Sequence, residues 1–416
     1  GLGETGLSMV RHLHGAGARV LCTDTRETPP GLPRLREELP DVPFHPAKDW
    51  IEAFDAVEEV FVSPGVPPSA PLLRTARARG VPSAGDVELF ARAVRTGVVG
   101  VTGTNGKSTV TALLARFGNA AGERACAGGN LMPPALDLLG RGCTRYVLEI
   151  SSFQLEFTRT LHLDVAVHLN LAPDHLDRHG DLEAYTRAKR RIFRDARHAV
   201  VNARDRRTRP PEHFTGLVTM VNGPDSRWRT EVDEGDGSVH VVHEDRRLLD
   251  ARELRLVGLH NVENATFALA AGEVLGYPVP AMTEALVTFE GLPHRCESVG
   301  TVGGVRFVND SKATNGAAAA AAIRGLAPTA AGGLVLIAGG IAKETDFSAL
   351  AEACVGRVRE ALLLGPAAPV LAAALDAVGV RNRTLRDLGA AVREGHRVSE
   401  AGGLVLLSPA CTSFDA

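Results

Sequence analysis

Residues 98–117 constrain this chain more than any other stretch. A valine-rich run, Val98-Val99-Gly100-Val101, leads straight into Thr102-Gly103-Thr104-Asn105-Gly106-Lys107-Ser108-Thr109 and then into a helix-forming stretch, Val110 to Phe117. Glycines let the backbone fold so that several N–H groups face an oxyanion, and the helix N-terminus that follows adds its positive end. Lys107 supplies a charge and Ser108 a metal-ligating hydroxyl, so the expected ligand is a nucleoside triphosphate with Mg²⁺. The spacing departs from G-x-x-x-x-G-K-[ST]: five residues separate Gly100 from Gly106, and the nearer glycine is Gly103, which reads as a shorter, specialised loop. The plainer alternative, a Gly-Lys-Ser helix start with no ligand, leaves Thr102, Gly103 and Asn105 unexplained.

A chain of 416 residues exceeds what one hydrophobic core organises, and three domains fit the motifs best. With 46 basic and 49 acidic residues the net charge is −3, which argues against a nucleic-acid-coating protein, so phosphates must be met locally. Aromatic residues make up only 5% while Ala, Gly, Leu and Val abound, the composition of α/β layers packed closely together. No apolar run approaches the roughly 20 residues of a bilayer span and no signal peptide is present, so a soluble cytoplasmic protein, a monomer, is expected. The cysteines (Cys22, Cys126, Cys143, Cys296, Cys354, Cys411) show no C-x-x-C pair, a pattern that predicts reduced thiols and no zinc site. Gly1 opens a glycine turn with no strand ahead of it, so a fragment is expected, with the neighbours of the missing strand left unpaired.

The first segment, 1–90, carries Gly1, Gly3 and Gly6 in a G-x-G-x-x-G turn, a helix from Leu7 to Gly15, and a strand over Arg19-Val20-Leu21-Cys22 that ends at Asp24-Thr25-Arg26. This is a Rossmann-like opening whose default ligand is a dinucleotide, although nothing later resembles a hydride-transfer site. Val60-Phe61-Val62 delivers Ser63-Pro64-Gly65 to the same kind of strand-end loop.

The second segment, 91–291, begins with the phosphate loop and alternates strands and helices. Tyr146-Val147-Leu148 ends in Glu149; Val165 to Leu169 ends in Asn170, followed by Asp174-His175-Leu176-Asp177-Arg178. Ligands of open parallel sheets sit at the carboxyl ends of strands, so Ser108, Glu149 and His175 are expected to converge around metal. Residues 182–198 read as a helix whose basic run, Lys189 included, is ordinarily solvated charge. Residues 205–250 suggest a small β-meander. Asn261 and Asn264, three apart on one helical face, suit a purine or phosphate, or equally a cap and a buried amide.

The third segment, 292–416, repeats the theme. Phe307-Val308 leads to Asn309-Asp310-Ser311-Lys312-Ala313-Thr314-Asn315 and a helix over Ala317 to Ala322, Leu334 to Ala338 leads towards Lys343, and Leu404 to Leu407 leads to Ser408-Pro409-Ala410-Cys411-Thr412-Ser413. Such Lys, Ser and Thr donors match the carboxylates of a small acidic molecule.

Together these motifs, with Gly85-Asp86-Val87-Glu88-Leu89-Phe90, Gly128-Gly129-Asn130, Glu149-Ile150-Ser151-Ser152-Phe153-Gln154-Leu155 and Gly291-Leu292-Pro293-His294-Arg295, closely resemble the Mur ligases of peptidoglycan synthesis over almost the whole chain. Asn105 and the Ser-Ser-Phe-Gln-Leu run favour, within that family, the member that adds D-glutamate. The resemblance implies an α/β chain of three domains. A Rossmann-like domain (1–90) would bind the UDP moiety, a P-loop ATPase domain with a parallel sheet (91–291) ATP and Mg²⁺, and a Rossmann-like domain (292–416) the amino acid.

The resemblance also assigns residues. Thr5, Asp24, Thr25, Arg26, Ser63, Gly65, Asn130, Ser151 and Gln154 would contact UDP-N-acetylmuramoyl-L-alanine. Gly103 to Thr109 with Asn261, Asn264, Arg295 and Asp310 would hold ATP, and Lys312, Thr314, Lys343, Ser413 and Phe414 the D-glutamate. Lys107, Glu149, His175 and Lys189 would be catalytic, with Ser108, Glu149, His175 and Lys189 around two Mg²⁺ ions and Lys189 carried as a carbamate. Lobe closure about hinges near 91 and 291 is implied too. Rival readings are an NAD-type dehydrogenase, which leaves the 103–108 loop unused, a folylpolyglutamate-synthase-like ligase, which lacks the opening glycine turn, and a non-catalytic nucleotide-binding protein.

Overall fold

The computed structural model describes residues 1–46, 57–342 and 346–412. Its largest sheet has nine strands, in the order Arg246–Asp250, Val239–His243, Trp228–Val232, Leu217–Val221, Ala196–Asn202, Leu163–His168, Gly97–Thr102, Arg145–Glu149 and Ala125–Gly129. From Trp228–Val232 to Ala125–Gly129 neighbouring strands run parallel, and the remaining two extend the sheet as an antiparallel meander.

The central strands are apolar on both faces because helices cover both. Val99, Val101, Val147, Val165 and Val167 point to one core, shared with Val110, Leu113, Leu114 and Phe117 of the Lys107–Ala120 helix and with the Ala-rich Leu259–Val274 helix. Val98, Leu148 and Ala166 point the other way, onto Phe90, Ile192 and Phe193. This double cover fixes which strand ends face the cleft above the Gly103–Lys107 loop.

A second, six-stranded sheet runs Glu297–Val302, Val305–Asn309, Leu404–Leu407, Leu334–Gly339, Val358–Leu364, Asn382–Thr384, parallel except for its first hairpin. The first lobe differs from one continuous Rossmann sheet. Among the described residues it holds two separate parallel ladders, Cys22–Asp24 with Phe44–Pro46 and Val60–Val62 with Ser83–Gly85. Gly1 lies between them: its amino group donates to Thr23 O (3.0 Å), and its carbonyl accepts from Ser63 Oγ (2.7 Å).

Five local expectations need correction. The strand expected over 19–22 forms at Cys22–Asp24, and its helix begins at Glu4 rather than Leu7. The helix expected over 182–198 stops at Arg190, because Ala199-Val200-Val201 is drawn into the central sheet and buried there. Lys189, read as solvated, is 2% exposed. The thiols are not all reduced: Cys126 and Cys143 form a disulfide, their Cα atoms 6.0 Å apart. Cys126 lies on the edge strand and Cys143 just before the strand paired with it, so pairing brings together residues 17 apart in sequence. Among the described residues no helix is long and apolar enough to cross a membrane.

Candidate active site

The loop between the Gly97–Thr102 strand and the Lys107–Ala120 helix is shaped by what surrounds it. Gly106 sits at φ 83°, and a Cβ there would come within 2.1 Å of Asn264 Oδ1, so only glycine fits without displacing that amide. Asn170 braces the loop: its carbonyl accepts from Thr104 N (3.0 Å), its Oδ1 from Asn105 N (2.9 Å), and its Nδ2 donates to Asn105 O (3.0 Å). Beyond this brace the helix starts at Lys107, and its first-turn N–H groups, with no intrahelical acceptor and no side-chain cap, have the chemistry that suits an anion.

Around that helix start the polar side chains form one network. Ser108 Oγ hydrogen-bonds Glu149 Oε2 and accepts from Arg295 Nη2 (2.8 Å), an arginine that follows the Ala-rich helix and leads into the final lobe. Glu149 Oε1 accepts from Asn130 Nδ2 (2.6 Å), and Glu149 O from Asn130 N (2.8 Å). Lys107 Nζ folds back onto Thr104 O (2.7 Å); burial pushes its ammonium below the ordinary range, opposed by Glu149 and Asp174.

Lys189 Nζ donates to Gly103 O (2.7 Å) and lies 4.6 Å from the Tyr185 ring centre. Burial, reinforced by Lys107, drives its pKa well below that of a surface lysine, with Asp174 and Glu149 pulling the other way. The amine is therefore poised towards its neutral, nucleophilic form. His175, in a left-handed conformation (φ 53°), has Nε2 3.6 Å from Asp174 Oδ2 and its ring 4.9 Å from Phe153.

Of the four expected metal-facing residues, protein contacts join Ser108 to Glu149 and put Lys189 on the same loop, while His175 is held by Asp174. Among the described residues no three His, Cys, Asp or Glu side chains form a ready-made cation cage. One hydroxyl and one carboxylate beside an anion site nonetheless match Mg²⁺, which keeps waters and takes few protein ligands when it rides on phosphates.

A cleft between the middle and final lobes is lined by Asn105, Gly106 and Thr109, by Asn261 and Asn264, and by Arg295, Asp310 and Lys312. Asn261 Nδ2 caps Val257 O (2.9 Å) and Asn264 Nδ2 approaches Asn261 Oδ1 (3.3 Å). Asp310 accepts from Cys296 N (3.2 Å) and Ser408 Oγ (2.9 Å), and burial raises its pKa to about 6. Lys312 is exposed on this wall and Thr314 half-buried, whereas Lys343, Ser413 and Phe414 lie outside the described residues.

In the first lobe Asp24 is tied up by protein. Burial opposes its ionisation, but the Arg26 guanidinium and the N–H groups of Arg26 and Leu2 outweigh it and hold the carboxyl well below its usual range. Thr25 and Gly65 are exposed and Thr5 half-buried. Gln154 is enclosed, its Oε1 accepting from Ser151 N (3.0 Å) and Oγ (3.0 Å), its Nε2 donating to Asp86 (2.8 Å). Sequence reasoning gave no role to Asn170 or Asp86. Their importance is wholly tertiary, and only their positions at strand and helix ends hinted at it.

The chain matches the Mur ligase MurD-like N-terminal domain over residues 1–85, the Mur ligase middle domain over 101–272 and the Mur ligase glutamate ligase domain over 294–411. It belongs to the Mur ligase family. It is 45% identical to the UDP-N-acetylmuramoylalanine–D-glutamate ligase of Nitrosococcus oceani, covering 100% of this chain and 91% of that one. It is 46% identical to the Pseudomonas putida protein of the same name, covering 100% and 92%. Among solved structures it resembles the UDP-N-acetylmuramate-alanine ligase of Thermotoga maritima (TM-score 0.65, 21% identity, 98% and 94% covered). A folylpolyglutamate synthase of Mycobacterium tuberculosis is more distant (TM-score 0.59, 17% identity, 76% and 89% covered). These two likenesses bear on fold alone.

Proposed function

We propose that this Mur ligase joins D-glutamate to UDP-N-acetylmuramoyl-L-alanine, with ATP cleaved to ADP and phosphate, as a cytoplasmic monomer in peptidoglycan precursor synthesis. The observation that carries the reading is the meeting of Ser108, Glu149 and Arg295 at the helix start behind Gly106. It puts a hydroxyl, a carboxylate and a guanidinium from two lobes at one anion site.

The chemistry follows from a difficulty. A carboxylate is a poor acyl donor, and transfer of the γ-phosphoryl to the L-alanyl carboxylate makes an acyl phosphate whose phosphate leaves when the D-glutamate amine attacks. Two anions must approach first, so the site needs concentrated positive charge. Lys107 and the helix N-terminus provide part of it, and Arg295 meets phosphate from the opposite wall. Bound Mg²⁺, two ions on this reading, would neutralise the phosphate oxygens; Ser108 and Glu149 would hold one, and His175 with Lys189 would serve the other.

Burial of the Lys189 amine, which favours its unprotonated form, supports its carriage as a carbamate. Nζ of the unprotonated amine bonds to the carbon of CO₂, one N–H proton is released, and a neutral group becomes an anion. Asn261, Asn264 and Asp310 would take adenine and ribose. Thr5, Asp24, Thr25, Arg26, Ser63, Gly65, Asn130, Ser151 and Gln154 would serve the UDP-substrate, Asp24 and Gln154 chiefly by bracing backbone. Lys312 and Thr314, with Lys343, Ser413 and Phe414, would receive the D-glutamate carboxylates. Closure about hinges near 91 and 291 would exclude water from the acyl phosphate.

The test is ADP release with UDP-N-acetylmuramoyl-L-alanine while D-glutamate, L-glutamate or L-lysine is offered. Release that depends on D-glutamate is expected, and release indifferent to the amino acid overturns the assignment.

A further inference from the structure

Arg178 has no part in the scheme above, yet it stands at a crossing of two lobes. It lies on the four-residue Leu176–His179 helix that His175 opens, and its side chain is only 9% exposed. Nη2 donates to Glu156 Oε2 (2.7 Å) on the Ser152–Glu156 helix and to Val66 O (3.3 Å), the residue just after Ser63-Pro64-Gly65 in the first lobe. The guanidinium carbon lies 4.5 Å from the centre of the Phe153 ring, and the edge of His175 approaches that same ring at 4.9 Å. Nε is buried and has no hydrogen-bond partner.

This is a costly place for a guanidinium. A buried Arg with an unmet donor persists where its remaining contacts offset the loss: the guanidinium lies against the Phe153 ring while Nη2 bonds oxygens on two segments, an arrangement the planar group holds more rigidly than a lysine's flexible stem. Nη2 is engaged by protein oxygens on both sides rather than offered to a ligand. Its contacts instead tie the first-lobe loop that carries Ser63 and Gly65, proposed to serve the UDP-substrate, to the turn that sets His175.

We infer that Arg178 is a positioning residue that locks the 63–66 loop and the His175 turn into one register, so that UDP-substrate binding in the first lobe and the reacting end in the middle lobe are aligned by one side chain. The inference rests on the ligase reading above and adds a residue to it. Its signature is selective. Weakening Arg178 loosens the UDP-substrate while leaving ATP, held 103–109 and across the other cleft, nearly untouched.

The experiment compares the full chain with Arg178→Gln, Arg178→Lys and Glu156→Gln. Steady-state turnover would be followed for all three substrates, and melting temperature would be read with and without UDP-N-acetylmuramoyl-L-alanine. For Arg178→Gln we expect the KM of the UDP-substrate to rise about tenfold, with the KM of ATP within about twofold, as lost charge-assisted bonds of this kind imply. Arg178→Lys should recover part of the rise, and Glu156→Gln, which leaves the arginine in place, should show the same split at a smaller size. Equal shifts in both KM values, or none, overturn the inference. If Arg178→Gln does not fold, Glu156→Gln decides alone by the same criterion. The melting-temperature arm needs no turnover. A ligand-induced rise kept in full by the variants overturns the Arg178 assignment, whereas an unaltered chain stabilised by the UDP-substrate but turning over nothing overturns the ligase reading instead.

Discussion

The carboxyl edge of the central sheet and that of the final sheet carry similar residue types but differ in how far protein encloses them. At the central edge Ser108, Glu149 and Lys189 are each 2% exposed, and every one has a partner at hydrogen-bond distance. At the final edge Lys312 is exposed and Thr314 half-buried, although Asp310, Asn315, Ser408 and Thr412 beside them are enclosed. Burying ionisable groups is unfavourable unless they are paired, so the central set is preorganised around charge that is to come. At the final edge Lys312 stays in water, and on the proposed reading it meets an acidic ligand there. On the proposed reading the difference separates a rim for phosphoryl chemistry from one for recognition, and it predicts where substitutions act.

The largest effect should come from the enclosed lysine. Lys189→Ala is expected to lower kcat by on the order of 10³-fold, with partial recovery on adding formate or acetate, because a small carboxylate re-supplies the lost anion. Full activity of the variant would remove Lys189 from the machinery and with it the carbamate. Next comes Gly106→Ala, where the new Cβ meets the Asn264 amide. We expect the KM of ATP to rise by roughly 10²-fold with that of D-glutamate little changed, since misplacement of a phosphate-positioning loop is felt by the nucleotide first. A rise confined to D-glutamate would put the triphosphate elsewhere.

On the open rim the effect should be smaller and reversed in kind. Thr314→Val should raise the KM of D-glutamate by about tenfold through one lost hydroxyl–carboxylate bond, leaving ATP unaffected. If both KM values rise together, the two edges are not functionally distinct.

The smallest effect on catalysis, and a test of enclosure alone, concerns His168 at the end of the Leu163–His168 strand. Burial, with Lys189 and Arg190 nearby, lowers its pKa to about 3. A histidine whose folded pKa is depressed binds fewer protons folded than unfolded. Its contribution is therefore present above about pH 6.5 and is lost as pH falls towards about 3. Urea denaturation at pH 7.5 and 4.5 should show His168→Leu losing about 2–3 kcal/mol less on acidification than the unaltered chain. Identical acid limbs would mean that His168 is not shielded.

Legibility from sequence follows the same division. The central sheet was readable because Val98–Val101, Tyr146–Leu148 and Val165–Leu169 are apolar on both faces, and each ends in a polar residue that the parallel arrangement brings to one edge. The phosphate loop was readable because its backbone demands glycine at Gly106. Lys189 was misread from local pattern, since a basic run looks solvated until the strand after it folds inward; only the family resemblance singled it out. The Cys126–Cys143 bridge was invisible because it depends on which strands become neighbours. Asn170, Asp86 and Arg178 appear in the sequence only as members of motifs and receive no role there for the same reason: each joins segments far apart in the chain, and no local periodicity marks what they hold.

The bond from Arg295 to Ser108 has a consequence for how nucleotide loads. On the proposed reading, triphosphate and hydroxyl compete for a single guanidinium, and the bond to the hydroxyl tethers the last lobe across the seam. Entry of ATP is then an exchange of grips, one tether released as a stronger one forms, and the lobes need not find each other anew in every cycle.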